Sequence, residues 1–565
     1  MNLGTVNESH VMKKILALVL TIMTLAHPQL VTAAGAGIPD AGLILQQSQP
    51  STSVVPFSIA PKAIPKPEAL QPIAVSSETF VLQHIAIVGN TIFDTSTLHA
   101  LVADAEGQRQ SLAQVYALAA RITGYYQANG YPLSRAIIPE QTIQQGVLRM
   151  EVIEVRFGKI SLNNQSRVRD ALLQDTAASL QSGQLIQESQ LDRTLLLLSD
   201  IPGVVVSPTL SRGAVDSTSD VDLNITSTSA VVGDVGVDNH GNSYTGQENV
   251  RGNLYVFNPL HWGDVLTLNV LTSGVGMNYG RLAYESIISG SGMRVGGAAS
   301  SLRYKLGGAL SNIDASGSAN IKSLWAKQML NRSRSNSVYA QLQVDHTQLQ
   351  DHIDAGATPI LNDRHIQSAS ASLYGDFQDS FWRRSVTTWS LGVTHGRVQL
   401  NGMATGDTAG GFTKTNFNLL RVENLSASSA LHLALNAQQS KNNLDAAQKM
   451  NAGGPYSVRA YAAGALTGDS GYFASAEFRK MLGFAWQSQW TGTIFMDAAT
   501  QTTNPKPSGA EGSTSLLRGA GLGLLWNGPN QWRGSGYVAR PVGTSPALAD
   551  TNKYTRMALE VKKNF

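Results

Sequence analysis

The pattern of apolar and polar positions changes once along the chain. Across residues 80–226, helical spacing alternates with short strand-like runs, whereas from Val231 to Phe565 a two-residue period takes over. In the first part, 80–89 (FVLQHIAIVG) reads as a strand closing in a Gly-Asn turn, and Asp94-Thr95-Ser96 opens a helix. The stretch from Ser111 (SLAQVYALAARITGYYQANGY) puts Leu112, Val115, Ala119, Ile122 and Tyr126 on one helical face and stops at Asn129-Gly130, a C-cap signal. Strands at 134–138 and 147–155 complete the order β-α-α-β-β. The same order then recurs, with a strand at 157–162, helices at 167–180 and 188–199, and strands at 204–210 and 221–226. Leu191, Leu195 and Leu198 form a core stripe in the second copy, and Ile201-Pro202-Gly203 turns the chain into the next strand.

In the second part Val338, Ala340, Leu342 and Val344 alternate with Tyr339, Gln341, Gln343 and Asp345. Leu431, Leu433, Leu435 and Ala437 alternate with His432, Asn436 and Gln438, and Trp389, Leu391 and Val393 with Ser390 and Thr394. Such alternation suits either a soluble sandwich or a membrane barrel with lipid outside and water inside. At about 20 residues per strand and connection, residues 231–565 hold on the order of 16 antiparallel strands, enough for an aqueous channel if they close. The last ten residues (RMALEVKKNF) place Met557, Leu559, Val561 and Phe565 on one face and Arg556, Glu560, Lys562 and Asn564 on the other. Lys563 falls on the apolar side, where a basic residue near a strand end can snorkel to the interface.

Composition favours the barrel. Charged residues make up only 14% of the 565, hydrophobic residues 42%, and glycines number 53, so small polar residues and glycine replace the usual charge. A net charge of +3, with no basic domain, argues against nucleic acid as a partner. Met12, Lys13 and Lys14 ahead of the apolar run 15–25, with Ala33, Ala34 and Ala36 behind it, predict a secretory signal peptide over 1–36. Met12 is the better start of that signal than Met1. Later stretches lack the apolar length a membrane helix requires, so any spanning structure must be a closed barrel. The chain has no cysteine, which excludes disulfides, iron-sulfur clusters and thiolate zinc sites. Residues 37–77 are proline-rich and read as a linker, with a short helical candidate at 40–49 (DAGLILQQSQ).

Several motifs carry a family resemblance. A terminal strand ending in Phe565 resembles those of Gram-negative outer-membrane proteins, whose assembly machinery reads that end. The first unit, with IVGNTIF and YYQANGYPLSRAIIPEQTIQQGVLRMEVIEV, resembles a POTRA domain of the Omp85 outer-membrane superfamily. The segment GGPYSVRAYAAGALTGDSGYFASAEFR is similar to the re-entrant loop of two-partner secretion transporters, the exporters of filamentous adhesins and haemolysins. Its Val-Arg-Gly-Tyr signature stands here as Val458, Arg459, Ala460 and Tyr461, followed by Gly468, Asp469 and Gly471. The inner-wall motif Phe-x-Asp-x-Gly stands as Phe495, Asp497 and Ala499. Each motif departs at one glycine, which leaves a special backbone angle or close approach there in question. VFNPLHWGDVLTLNV resembles the family's first periplasmic turn.

The resemblance implies a signal peptide (1–36), a linker with a plug helix (37–77), two periplasmic POTRA domains (78–156 and 157–230) and a transmembrane β-barrel of about 16 antiparallel strands (231–565) with a re-entrant loop at 453–471. It further implies that Arg459 pairs with Asp497 as a latch. Alternation adds that Phe495, Asp497 and Ala499 face the lumen while Ile494 and Met496 face lipid. The implied partners are a secreted β-helical exoprotein of the adhesin or haemolysin class, outer-membrane lipid and the barrel-assembly machinery. Export would be passive, without nucleotide or cofactor. A barrel-insertion factor of the same superfamily or a porin-like channel are the alternatives; the first usually carries more POTRA copies, the second none.

Catalytic chemistry is scarce. The chain has no G-x-S-x-G elbow, H-E-x-x-H helix or P-loop, and GAGLG at 519–523 reads as strand glycines that ease barrel curvature. His346, His352 and His365 read as residues in or beside a surface loop and not as a metal site.

Overall fold

The computed structural model describes residues 39–48, 79–354, 359–381, 384–401, 407–504, 512–543 and 555–565. The expected signal peptide and most of the proline-rich linker lie outside the described residues. Among those described, no helix is long and apolar enough to cross a membrane.

Sixteen antiparallel strands, from Val231–Asp238 to Arg556–Asn564, close into one barrel in which the last strand pairs with the first. Neighbours in sequence are neighbours in the barrel, except where a long loop separates Ser429–Ser440 from Ser470–Ala485. Alternation sorts the side chains. Leu324 and Leu342 are 65% and 66% exposed on the outer wall, where lipid would cover them, while Phe495 and Asp497 are each 1% exposed inside. The wall is uneven in height. Strands near the seam are short, such as Val231–Asp238, whereas Asn336–Ile353 and Ile360–Asp379 run to 18 and 20 residues. That is roughly twice what a tilted strand needs to cross a bilayer, so these two project beyond it. His346 and His352 lie in the first of these strands and His365 in the second, not in a loop; the strands simply continue past the membrane band.

The seam ends on the chain terminus. Gly233 and Phe565 exchange two backbone hydrogen bonds of 3.0 Å, and a Cβ at Gly233 would come within 2.7 Å of the Phe565 ring. Glycine here leaves room for the terminal aromatic. Lys563 sits 5.8 Å from the centre of the Trp532 ring on the adjacent strand, a cation–π contact that accounts for a lysine on the apolar face.

Two α+β units precede the barrel. In the first, a sheet ordered His84–Val88, Val147–Ile153, Arg135–Ile137 packs on the helix Leu112–Ala128. A capping box between Ser111 and Gln114 starts that helix, and Val115, Leu118, Ala119, Ile122 and Tyr126 are its buried face. Leu112, assigned above to that face, is instead 39% exposed because it occupies the first turn, ahead of the packed face; Leu118 takes its place in the core. A two-stranded ribbon, Thr79–Val81 with Arg109–Ser111, was not anticipated. Its pieces are too short to show a period.

The second unit repeats the arrangement, with a sheet ordered Arg156–Gln165, Thr218–Ser227, Val204–Arg212 against helices Asp170–Ala177 and Glu188–Ser199. Leu191, Leu195 and Leu198 are buried in its core. This unit is docked on the barrel's turns. Arg332 and Arg334 of the barrel pair with Asp200 and Asp192, and the Arg169 guanidinium lies 3.2 Å from the Trp262 ring centre. The turn after Asn249–Phe257 is built for that contact. Asp264, wholly buried, accepts the Leu260 and Trp262 amides, and Gly263 takes φ +64° where a Cβ would meet Leu172 at 2.9 Å.

Candidate functional site: the occupied lumen

Two chain segments fill the lumen. The first is the helix Ala41–Ser48, whose Ala41 and Ile44 are wholly buried. It lies against Arg294–Lys305, Ser316–Arg332 and Asn336–Ile353, the taller part of the wall. Gly42 is required where it stands, because a Cβ would approach the Ala447 nitrogen at 2.5 Å.

One arginine organises the polar contacts at the head of this helix. Arg364, 6% exposed, donates to Asp40 at 2.8 Å, to Asp445 at 2.9 Å and to Asp351. Asp351 also accepts the Ala41 amide at 2.8 Å and the Tyr304 hydroxyl at 2.7 Å. Further along, Asn242 donates to Gln47 at 2.8 Å and Gln46 donates to the Ala446 carbonyl at 3.0 Å. The charge here does not balance: one guanidinium meets three carboxylates, and the third, Asp40, arrives with the helix.

The second segment is the loop between Ser440 and Ser470, which turns back inside the barrel. The short hairpin Met450–Ala452 with Leu466–Gly468 forms its stem. Gly453, Gly454 and Gly464 take φ of +99°, +92° and +71° where it bends. Asp469, wholly buried, ties down the loop's two ends by accepting the Leu444 and Asn504 amides, each at 2.8 Å. Gly471 faces the Thr500 carbonyl oxygen, which a Cβ would meet at 2.2 Å, and a Cβ at Gly468 would meet Gln501 and Thr502 at 2.9 Å.

Val458, Ala460 and Tyr461 are buried at the tip, and Arg459 reaches the wall. Its Nε and Nη2 donate to the two Asp497 oxygens at 2.9 and 2.8 Å, and its backbone amide donates to the same carboxylate at 3.1 Å. Nη1 donates to Glu477 and Nη2 to Ser475 at 3.2 Å. Arg479 donates to the other Glu477 oxygen at 2.7 Å, so two cations meet two carboxylates. The guanidinium carbon lies 3.3 Å from the centre of the Phe495 ring, and Phe495 in turn makes an edge contact with Tyr537. A bidentate, charge-assisted pair stacked on an aromatic ring is a rigid attachment.

The two alanines in place of family glycines now have a physical account. Neither Ala460 nor Ala499 takes a positive φ, so a left-handed backbone is not required at either. Ala460 fits because Gly519 opposes it; a Cβ on Gly519 would come within 2.6 Å of the Ala460 methyl. Gly521 likewise clears the Phe495 ring, which a Cβ would meet at 2.4 Å. Of the 519–523 glycines, which lie in the strand Ser513–Asn527, Gly519 seats the loop tip, while Gly521 and Gly523 make room for side chains of the adjoining strands.

Comparison with known proteins agrees with this architecture. Residues 217–525 match the family of haemolysin secretion/activation proteins ShlB/FhaC/HecB, and residues 80–155 match the ShlB-type POTRA domain. The chain belongs to this family. It is a two-partner secretion transporter of the Omp85 superfamily, set in the outer membrane with its N-terminal POTRA region in the periplasm, and it acts with a secreted exoprotein. Among relatives, the heme/hemopexin transporter protein HuxB of Haemophilus influenzae is 26% identical over 518 residues, covering 88% of this chain and 91% of that protein. The outer membrane transporter CdiB of Dickeya dadantii is 26% identical over 185 residues, 33% of this chain and 32% of its own length. The fold is shared with CdiB from Escherichia coli (TM-score 0.69, 19% identity, 90% of this chain and 94% of that one). It is shared more loosely with BamA from Haemophilus ducreyi lacking POTRA domains 1–3 (TM-score 0.51, 15% identity, 86% and 100%).

Sequence reasoning missed Arg364 and its three aspartates and the share of Glu477 in holding Arg459. Asp351 and Arg364 meet across one hairpin, but Asp40 and Asp445 stand far off in sequence and reach Arg364 only because the helix and the loop enter the lumen. For Glu477 a signal existed: it lies two residues from Ser475 on an alternating strand, hence on the same lumenal face.

Proposed function

We propose that both α+β units are POTRA modules and that they capture an unfolded, β-helical exoprotein of the adhesin or haemolysin class as it reaches the barrel. Each unit presents edge strands, His84–Val88 in the first and Val204–Arg212 in the second, to which an extended segment can add by backbone hydrogen bonding. The exoprotein then crosses the lumen in extended form, and its folding outside supplies the driving free energy and prevents return. The protein catalyses no reaction in this reading and needs no nucleotide.

The lumen at rest is occupied, so export requires two displacements. The helix Ala41–Ser48 acts as a plug and the 453–471 loop as a gate latched by Arg459 to Asp497. The observation that carries the reading is where the two segments sit: inside a barrel wide enough for a channel, each packs an apolar face on the wall and is fixed at its charged points, Asp40 on Arg364 and Arg459 on Asp497, by contacts that an incoming chain can replace. During biogenesis, the terminal strand ending in Phe565 is the feature that the barrel-assembly machinery reads.

The test is reconstitution in a Gram-negative host together with a candidate β-helical exoprotein. The exoprotein should reach the cell surface only when the transporter is present, and deletion of residues 79–227 should leave it in the periplasm. Export that does not depend on the transporter, or that survives the deletion, would contradict the reading.

A further inference from the structure

Outside the lumen, one cluster of ligating side chains has no part in the scheme above. His84 opens the edge strand His84–Val88, His99 lies in the last turn of the helix Thr95–Ala100, and Glu106 follows the 3-10 turn Ala103–Ala105. His84 Nδ1 and His99 Nε2 converge on one Glu106 oxygen, at 3.0 and 2.9 Å. The Ile85 amide donates to that same oxygen at 2.8 Å and fixes the carboxylate in place. The ligating atoms of all three residues lie within 4.8 Å of one another, and the imidazoles are tilted by 39° with centres 5.6 Å apart.

We propose that His84, His99 and Glu106 form a zinc-binding site in the first periplasmic unit. Two imidazole nitrogens and a carboxylate are a common zinc donor set, with metal–ligand distances of about 2.0–2.2 Å. Tetrahedral ligands at that range stand about 3.3 Å apart, so the nitrogen–oxygen separations of 3.0 and 2.9 Å need open by only a few tenths of an ångström, with the two imidazoles turning toward the same point. Protonation states present no obstacle. An imidazole ligates through a ring nitrogen that carries no hydrogen, the hydrogen sitting on the other nitrogen, and a carboxylate ligates as the anion.

The ion would join at the surface three local pieces that already share a core and meet at Glu106: the edge strand, the short helix and the segment leading to Arg109–Ser111. The His84 side chain is 59% exposed, so the fourth position faces solvent and is open to water or to a donor from an incoming chain. The site therefore stiffens the sheet edge and leaves one coordination position accessible. It stands independently of the capture reading, because it is defined by the three side chains alone.

The experiment uses the full-length protein in detergent, purified without a polyhistidine tag and treated with a chelator. Equilibrium dialysis against Zn2+ should give one equivalent per chain, and Co2+ in its place should give the intense visible absorption of a tetrahedral site. His84→Ala and His99→Ala should each weaken this uptake at least tenfold, and Glu106→Gln should weaken it less. Zn2+ should also slow amide exchange across residues 84–88 in the parent protein and not in His84→Ala. That exchange pattern separates lost metal binding from lost folding, because a folded His84→Ala retains the protection of the metal-free parent. Uptake unchanged in both histidine variants would overturn the proposal. So would uptake abolished only by replacing His346 or His365, whose rings stack 6.1 Å apart on the barrel wall.

Discussion

The latch yields the most exacting prediction. Asp497→Ala removes three of the hydrogen bonds that Arg459 makes and leaves its guanidinium with Glu477 and Ser475. Breaking a buried ion pair by deleting one partner costs about 3–5 kcal/mol. Because Glu477 stays and the Arg459 side chain is 13% exposed, the lower end applies, about 3 kcal/mol. At 1.36 kcal/mol per tenfold, that favours the released loop by roughly 150-fold. Arg459→Ala should release it as well, and in addition leaves two carboxylates close together. The assay is protease cleavage within 453–464 from outside intact cells, scored beside export of the exoprotein. Both variants should become cleavable and lose regulated export, and the swapped pair Arg459→Asp with Asp497→Arg should recover part of both. If the two single variants keep the parental cleavage pattern and parental export, Arg459 does not hold the loop and the reasoning fails.

Three further outcomes follow from the same contacts. Arg364→Ala leaves three carboxylates facing one another and should expel the helix Ala41–Ser48, raising liposome conductance. Asp445→Asn removes repulsion against Asp40 and should lower conductance below the parent's; equal conductance in parent and both variants would refute the assignment. Gly519→Val places a branched side chain where even a Cβ meets Ala460 at 2.6 Å, so it should reproduce the Asp497→Ala cleavage pattern, and Ala460→Gly added to it should relieve the defect in part. In the first unit Glu154 accepts the Thr91 and Ile92 amides at 2.7 and 2.9 Å and the Tyr126 hydroxyl at 2.8 Å. Burial alone would raise its carboxyl, but these bonds outweigh burial and hold it below the ordinary range. With the folded pKa depressed, its contribution to stability is present above the unfolded value of about 4.3 and is lost as pH falls through the folded value. Glu154→Gln should therefore cost about 1–3 kcal/mol at pH 7, a difference that denaturant melts should show shrinking toward pH 3.

What the sequence determined by itself was everything that local periodicity and spacing encode. Two-residue alternation required strands with one apolar face, the apolar stripes of Leu112–Ala128 and Glu188–Ser199 required helices, and the two motifs containing Arg459 and Asp497 stood in the order expected of a transporter. The strand and helix readings succeed because side-chain direction follows from backbone period alone, whereas the motif order came from the family resemblance. Tertiary structure decided which distant positions meet. Hairpin register sets Asp351 beside Arg364 and Gly521 against Phe495, while the plug helix and the re-entrant loop entering the lumen bring Asp40 and Asp445 to Arg364 and Ala460 to Gly519. No local pattern marks such encounters. A charge or a glycine acquires its role there from a partner that strand register and loop re-entry place beside it.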